Sequence, residues 1–211
     1  NSPISNHFRF FWNLFCPEKL FDILWYPFYP LKYLAYILPI MCFISLFILL
    51  ENLHYLENDL AKLIQSVNLF YHILFTLFTI NLTSQIGRGI ICRNYNVEVP
   101  NFGIKLALGL LPRFEIFIGD IQTLPKVARL WIQASQLIIR LALFCTGAAV
   151  WLVGRPTGTG FSTYGLTLAT FALFEVLLFF GNPLIKSSAY DVLTTYLEIP
   201  GLREKANRAL F

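Results

Sequence analysis

Three ionisable side chains lie inside long apolar runs, where an unpaired charge is costly. Arg140 comes 11 residues after Arg129, and Glu175 comes 11 residues before Lys186 on a later segment that runs the other way. Eleven helical residues rise roughly 16 Å, so the two side chains should lie at similar depth. Because a lone charge in hydrocarbon costs several kcal/mol, we predict that Glu175 pairs with Arg140 or with Arg88. Arg88, Arg140 and Glu175 are called the polar centre below.

Two other interpretations of these residues remain open at the level of sequence. Each charge could extend along its own alkyl stem to the cytoplasmic interface, which would leave no pair. Ser84 precedes Arg88 by four residues and is a possible nucleophile, but no general base accompanies it. The four cysteines have neither disulfide-like nor zinc-knuckle spacing, and we interpret them as inert packing residues: Cys16, Cys42, Cys92 and Cys145.

Composition places the 211-residue chain among membrane proteins. It is 56% hydrophobic and 17% aromatic but only 13% charged, about half the charged fraction of a typical soluble domain. The net charge of +4 comes from basic residues that lie between apolar runs along the whole chain, which does not indicate a nucleic-acid partner. The length suits a single membrane-embedded domain, 1–211, with membrane lipids around it.

Four apolar runs are candidate membrane spans, and a fifth segment has helical periodicity. Glu51–Ser66 carries leucines at helical spacing beside acidic residues, which predicts an amphipathic helix on the surface. The spans should form a bundle within 33–183, and each run is near or above the length needed to cross about 30 Å of hydrocarbon. The four runs are Tyr33–Leu50, Val67–Ile91, Lys126–Gly154 and Tyr164–Phe180.

The segments around the bundle have other patterns. Cys92–Asp120 contains two apolar stretches, Ile104–Leu111 and Phe114–Ile118, which predict a β-hairpin associated with the membrane. Residues 1–31 are rich in aromatic residues and proline, which predicts an interfacial segment with a short helix near Glu18–Trp25. We predict that residues 184–211 form an amphipathic tail on the cytoplasmic side. The predicted fold is an all-α membrane protein with about four spans, a membrane-associated β-hairpin and interfacial helices.

The distribution of basic residues predicts the orientation. With four spans, the segments on one side hold most of the lysines and arginines, whereas the other side holds only Lys62 and Arg155. The positive-inside rule therefore predicts that both termini are cytoplasmic. The sequence starts at Asn1 rather than at a methionine, so we expect the natural chain to be longer.

The stretch after the last apolar run has a specific pattern. Asn182-Pro183 breaks that run, and the short helical piece that follows reaches Leu197-Glu198 and is ended by Ile199-Pro200-Gly201. This block resembles the Asn-Pro and Leu-Glu-Ile-Pro motifs of membrane-embedded site-2-type zinc metalloproteases, and among them the bacterial peptide zinc metalloproteases. The resemblance covers about Pro17 to Ala206 and implies that family's fold.

The positions that the resemblance assigns to chemistry hold other residues here. The family places His-Glu-x-x-His on the second span and a metal-binding aspartate after Asn-Pro. Ser84 and Arg88 stand at the positions of the two histidines, and Gln85 stands at that of the glutamate. Ser188 stands at the position of the aspartate. Neutral serines are poor zinc ligands, glutamine does not accept a proton, and arginine brings a permanent positive charge. A third motif, Ala-Gly-Pro, is replaced by Ala134-Ser135-Gln136. We therefore predict no catalytic residues, no metal site and the loss of zinc.

The resemblance and these losses together lead to a functional expectation. We expect a catalytically inactive scaffold or assembly subunit in the bacterial inner membrane, within a larger complex or a peptide-export system. The partners implied are other membrane subunits, such as a haemolysin-D-like adaptor or an exporter, and not nucleic acid. Two alternatives remain open. One is an active zinc peptidase whose metal site is unrecognised or completed by a partner, and the other is a transport subunit with a polar path at Arg88, Arg140 and Glu175.

Overall fold

The structure is a computed structural model that describes residues 11–15, 21, 23, 31–107, 111–119, 121, 123–157, 160–182 and 187–198. This part of the chain is mostly helical. The helices are α1 (Leu31–Glu51), α2 (Leu53–Gln65), α3 (Leu69–Asn94), α4 (Lys126–Gly154), α5 (Gly160–Glu175) and α6 (Ser188–Leu197). A 3-10 turn, Arg155–Thr157, follows α4, and a π-helical turn, Val176–Phe180, continues α5.

Three helices are long and apolar enough to cross a membrane: α3, α4, and α5 together with its π-helical turn. Helices α1 and α2 meet the same criterion only as a pair, and they are bent by 82° at Asn52. Asn52 leaves helical geometry, and its side-chain amide donates to the carbonyl of Ile48 at 2.9 Å. The described residues therefore contain three candidate spans, or up to four if the bent pair forms one. The predicted total of four stays a prediction.

Three strands form one antiparallel sheet in the order β1-β2-β3: Phe11–Phe15, Asn101–Ala107 and Leu111–Phe117. The predicted hairpin is confirmed, with each strand shifted toward the N-terminus of its apolar stretch. Pairs such as Phe102 with Ile116 set its register. Strand β1 was not predicted, because residues 1–31 were interpreted as an interfacial segment. Most of that segment, including the ends of the predicted helix Glu18–Trp25, lies outside the described residues.

The hydrophobic core has two parts. One lies beside the sheet and contains Phe21, Ile90, Phe114 and Ile132, which are nearly or fully buried. The other lies between the helices and is built largely by Ile80, Phe144, Ala148, Leu168 and Ala172. Since α3 and α4 contribute side chains to both parts, these two helices connect the sheet to the bundle.

Helix α4 is central, because it packs against α1, α3, α5, α6 and the π-helical turn. Its contact with α5 is close because Gly147 and Gly165 carry no side chains. A Cβ atom on Gly147 would lie 2.6 Å from the backbone nitrogen of Ala169, and one on Gly165 would lie 2.6 Å from that of Trp151. Small residues allow helix backbones to approach in this way in membrane proteins.

Many large apolar side chains point away from the protein. Phe43 and Phe47 on α1, Phe70 on α3 and Phe161 on α5 are each more than half exposed. A water-facing surface rarely carries so many apolar side chains, whereas a lipid-facing surface requires them. The exposed surface agrees with the composition in indicating a membrane protein.

Candidate functional site

The interior of the bundle contains an ion pair between α4 and α5. Arg140 Nε donates to Glu175 Oε2 at 2.7 Å, and the side chains of the two residues are 1% and 17% exposed. Arg140 Nη1 also donates to the carbonyl oxygen of Gln136 at 3.2 Å. Of the two pairings that the sequence left open, the structure therefore has the one between Glu175 and Arg140.

The π-helical turn positions an aromatic ring on this pair. Gly181 N donates to the carbonyl oxygen of Val176 at 2.6 Å, which is the wide hydrogen bond of a π-helix. The Phe180 ring lies 3.6 Å from Arg140 Cζ, close enough for a cation–π contact. The guanidinium is thus held by a carboxylate, a backbone carbonyl and an aromatic face.

Ser188 lies at the start of α6 and bonds to α4. The Ser187 hydroxyl caps α6 by accepting from Tyr190 N at 3.4 Å. The Ser188 hydroxyl then donates to Gln136 Oε1 at 2.9 Å, and that of Thr195 donates to Gln133 Oε1 at 2.7 Å. The later residue of α6, Thr195, bonds to the earlier residue of α4, Gln133. The two helices therefore run in opposite directions along this contact. The structure therefore joins Ser188 to the Ala134-Ser135-Gln136 motif.

Ser84 and Gln85 are buried on α3. The Ser84 hydroxyl donates to the carbonyl oxygen of Ile80, one turn earlier, at 2.6 Å. Gln85 is 3% exposed, and its Oε1 has no hydrogen-bond partner among the described residues. The following Gly87 faces Ile139, since a Cβ atom there would overlap the isoleucine side chain. This stretch of α3 therefore packs directly against α4.

Arg88 is separate from the ion pair. The carboxylates of Asp191 on α6 and Glu115 on β3 lie close enough to interact electrostatically with its guanidinium. Residues three apart on a helix share a face, so Asp191 lies on the same side of α6 as Ser188.

The residues at the resembled metal site do not fit zinc. The Ser84 and Ser188 hydroxyls donate to carbonyl oxygens, and neither is the thiolate, imidazole or carboxylate that zinc requires. The Arg88 guanidinium is a cation in the same region. In the described part of the chain, no three His, Cys, Asp or Glu residues are grouped so that they could hold a metal ion.

The residues of the terminal motif are only partly described. Asn182 follows the π-helical turn and its C-cap residue Gly181, and its carbonyl oxygen accepts from the Ser187 hydroxyl at 2.8 Å. Glu198 has a left-handed backbone (φ 57°) that ends α6, and its carboxylate lies 3.0 Å from Lys126 Nζ. Pro183, Pro200 and the basic end of the tail lie outside the described residues.

Sequence reasoning expected the polar residues within α3 to face protein or water, but missed that three of them form one strip. Asn81 Oδ1, Gln85 Oε1 and Arg88 Nε are buried and lack hydrogen-bond partners within the described ranges. Their spacing of four and three residues puts them on one face of the helix. That spacing within an apolar run was the available signal. Buried polar atoms of this kind usually bind water or another polar group.

Sequence reasoning also missed a thiol pair. Cys42 on α1 and Cys145 on α4 have sulfur atoms 3.5 Å apart, and both thiols are free. Their separation of 103 residues gives no sign of this contact in the sequence. Cys92, in contrast, is buried in the core beside the sheet, as expected of a packing residue.

No family model, curated protein or solved structure matches this chain. The resemblance to site-2-type proteases therefore depends on the motifs quoted above.

Proposed function

We propose that this protein is a catalytically inactive relative of site-2-type proteases that serves as a scaffold or assembly subunit of a larger membrane complex, such as a peptide-export system. In this proposal α1, which corresponds to the predicted span Tyr33–Leu50, crosses the membrane as a fourth span, and α2 lies on the membrane surface. Both termini lie in the cytoplasm, and the membrane is a bacterial inner membrane. Membrane adaptors or exporters are the partners that the resemblance suggests.

The observation that supports this proposal most strongly is the hydrogen bond from Ser188 to Gln136. In the resembled family, the residue at position 188 would bind the metal. Here its hydroxyl joins α6 to α4 instead, and the neighbouring ion pair of Arg140 and Glu175 joins α4 to α5. These polar groups hold the helices together, whereas a hydrolase would direct such groups at its substrate. This use of the groups favours a structural role.

The first test is the zinc content of the purified, tag-free protein, measured by elemental analysis. We expect well below one zinc ion per chain. A matched variant restores the family's residues through Ser84→His, Gln85→Glu, Arg88→His and Ser188→Asp, and we expect it to gain zinc. Stoichiometric zinc in the native protein would contradict the proposal and favour the peptidase with an unrecognised or partner-completed site.

The second test concerns the scaffold role itself. After extraction from its native membrane in a mild detergent, the chain should migrate in a complex larger than its own 24.3 kDa and its detergent. The complex should contain a second protein in fixed proportion to this chain. Migration as a single chain in every mild detergent would argue against a scaffold.

A transport subunit is the second candidate, and the polar strip on α3 favours it. The unpartnered atoms of Asn81, Gln85 and Arg88 would line a hydrated path beside the ion pair of Arg140 and Glu175. If that path carries ions, Glu175→Gln should alter ion flux in reconstituted vesicles. Unchanged flux in folded protein would remove this candidate and leave the scaffold.

A further inference from the structure

A polar pocket opens where α2, α3, α4 and α5 meet, far from the polar centre. Its volume is about 330 Å³, and its lining includes Asp59, Lys62, His72, Trp151 and Arg155. Among the described residues of its lining, Asp59 is the only one with a carboxylate. That carboxylate accepts from Trp151 Nε1 at 3.1 Å and lies 3.4 Å from Arg155 Nε and 3.6 Å from Lys62 Nζ. The acceptor atoms of Asp59 are therefore already engaged.

The pocket keeps a surplus of hydrogen-bond donors. Lys62 is mostly exposed and touches Asp59 loosely. Arg155 Cζ lies 3.5 Å from the centre of the Tyr55 ring, and no hydrogen bond from its Nη groups is found in the described part of the chain. Asn68 and His72 add polar side chains to the lining. With two cations against one carboxylate, the pocket has the charge complementary to an anion.

An apolar groove continues from this pocket along α3. It has a volume of about 740 Å³ and shares Asn68 and His72 with the polar pocket. The remaining lining comes from Tyr71, Leu74, Phe75 and Phe78, which are partly exposed. From Asn68 to Phe78 the helix rises roughly 15 Å, about half the thickness of the hydrocarbon layer. The groove thus has the length of one leaflet.

We propose that the pocket and groove together bind one anionic phospholipid. The phosphate of its headgroup contacts Lys62 and Arg155, and an acyl chain lies along Phe75 and Phe78. The polar pocket lies next to the N-terminal end of α3, and the groove extends from it along the helix. This is the order in which a phospholipid presents its headgroup and its chain to a membrane protein.

Native mass spectrometry of the detergent-purified chain tests the proposal. The probes are phosphatidylglycerol and phosphatidylcholine with the same acyl chains. We expect phosphatidylglycerol to be retained about tenfold more than phosphatidylcholine. The double variant K62Q/R155Q should lose this preference, whereas R155K should keep most of it. F75A should lower retention of both lipids, because it shortens the contact with the acyl chain. K126Q is the matched control, since Lys126 lies at the opposite end of α4, and it should change neither value.

Three outcomes would overturn the proposal. The first is equal retention of the two lipids by the native protein. The second is an unchanged preference in K62Q/R155Q, or in K62Q alone if the double variant does not fold. The third is displacement of the bound species by inorganic phosphate as effectively as by phosphatidylglycerol, which would identify a site for free anions.

Discussion

At the scale of single residues, the ion pair of Arg140 and Glu175 is the feature with the largest energetic consequence. Removing one partner leaves an uncompensated charge between helices, whereas removing both leaves two neutral amides. We expect Arg140→Gln or Glu175→Gln to destabilise the bundle by about 3–5 kcal/mol, and the double change by clearly less than the sum. Unfolding in mixed detergent micelles would measure this, and strictly additive losses would show that the charges act independently.

The sequence predicted this pair but not the contacts around it. A charged residue within an apolar run has few possible partners. Glu175 could therefore pair only with Arg140 or Arg88 among the charges inside the spans. For a hydrogen bond between neutral side chains, such as that of Ser188 with Gln136, the sequence offers many hydroxyls and amides as partners. The correct partner therefore cannot be chosen from the sequence.

At the scale of elements, the close crossing of α4 and α5 depends on glycine residues, which have no side chain. Gly147→Val would place a branched side chain against the backbone of α5, which should destabilise the bundle by about 3 kcal/mol. Gly160→Ala is the matched control because a Cβ atom there has no atom within 4 Å. This control should stay within about 0.5 kcal/mol of the native protein. Thermal unfolding in detergent compares the two, and equal stabilities would mean that the crossing is looser than described.

The contact between α1 and α4 can be tested through the thiol pair. Dibromobimane alkylates two neighbouring thiols within one molecule and becomes fluorescent when both have reacted. We expect it to bridge Cys42 and Cys145, whose sulfur atoms are 3.5 Å apart. Cys42→Ser should abolish the fluorescence, whereas Cys92→Ser should leave it unchanged. Fluorescence that persists in Cys42→Ser would mean that a different pair of thiols reacts.

The elements differ in how well the sequence predicts them. Length and composition were enough to locate α3, α4 and α5, because crossing hydrocarbon requires long apolar runs. Strand β1 was missed because it pairs with β2, about ninety residues later, and pairing at that distance leaves no local pattern. The bend at Asn52 was missed because asparagine does not by itself break a helix.

At the scale of the whole molecule, two groups of charged residues outside the polar centre lie at opposite ends of α4. Lys62 and Arg155 meet Asp59 at one end of α4, and Lys126 meets Glu198 at the other. With 29 residues, α4 is roughly 43 Å long, enough to separate the two groups across a bilayer. This arrangement fits the predicted orientation, in which Lys62 and Arg155 lie outside.

The number of spans determines whether the termini share a side. We expect both to be cytoplasmic, because α1 would form the fourth span. Green fluorescent protein fused to either end should therefore fluoresce, and alkaline phosphatase fused to either end should be inactive. Termini on opposite sides would mean that only α3, α4 and α5 cross the membrane.

The π-helical turn constrains the number of residues in its segment more than the identity of those residues. Leu177, Leu178 and Phe179 are about half exposed or more, so other apolar side chains should be accepted there. The wide ring from Val176 to Gly181 holds one residue more than an α-helical ring. Deleting one residue would rotate everything beyond it by about 100° and carry Phe180 away from Arg140. Variation in this segment should therefore change which residues are present but not how many.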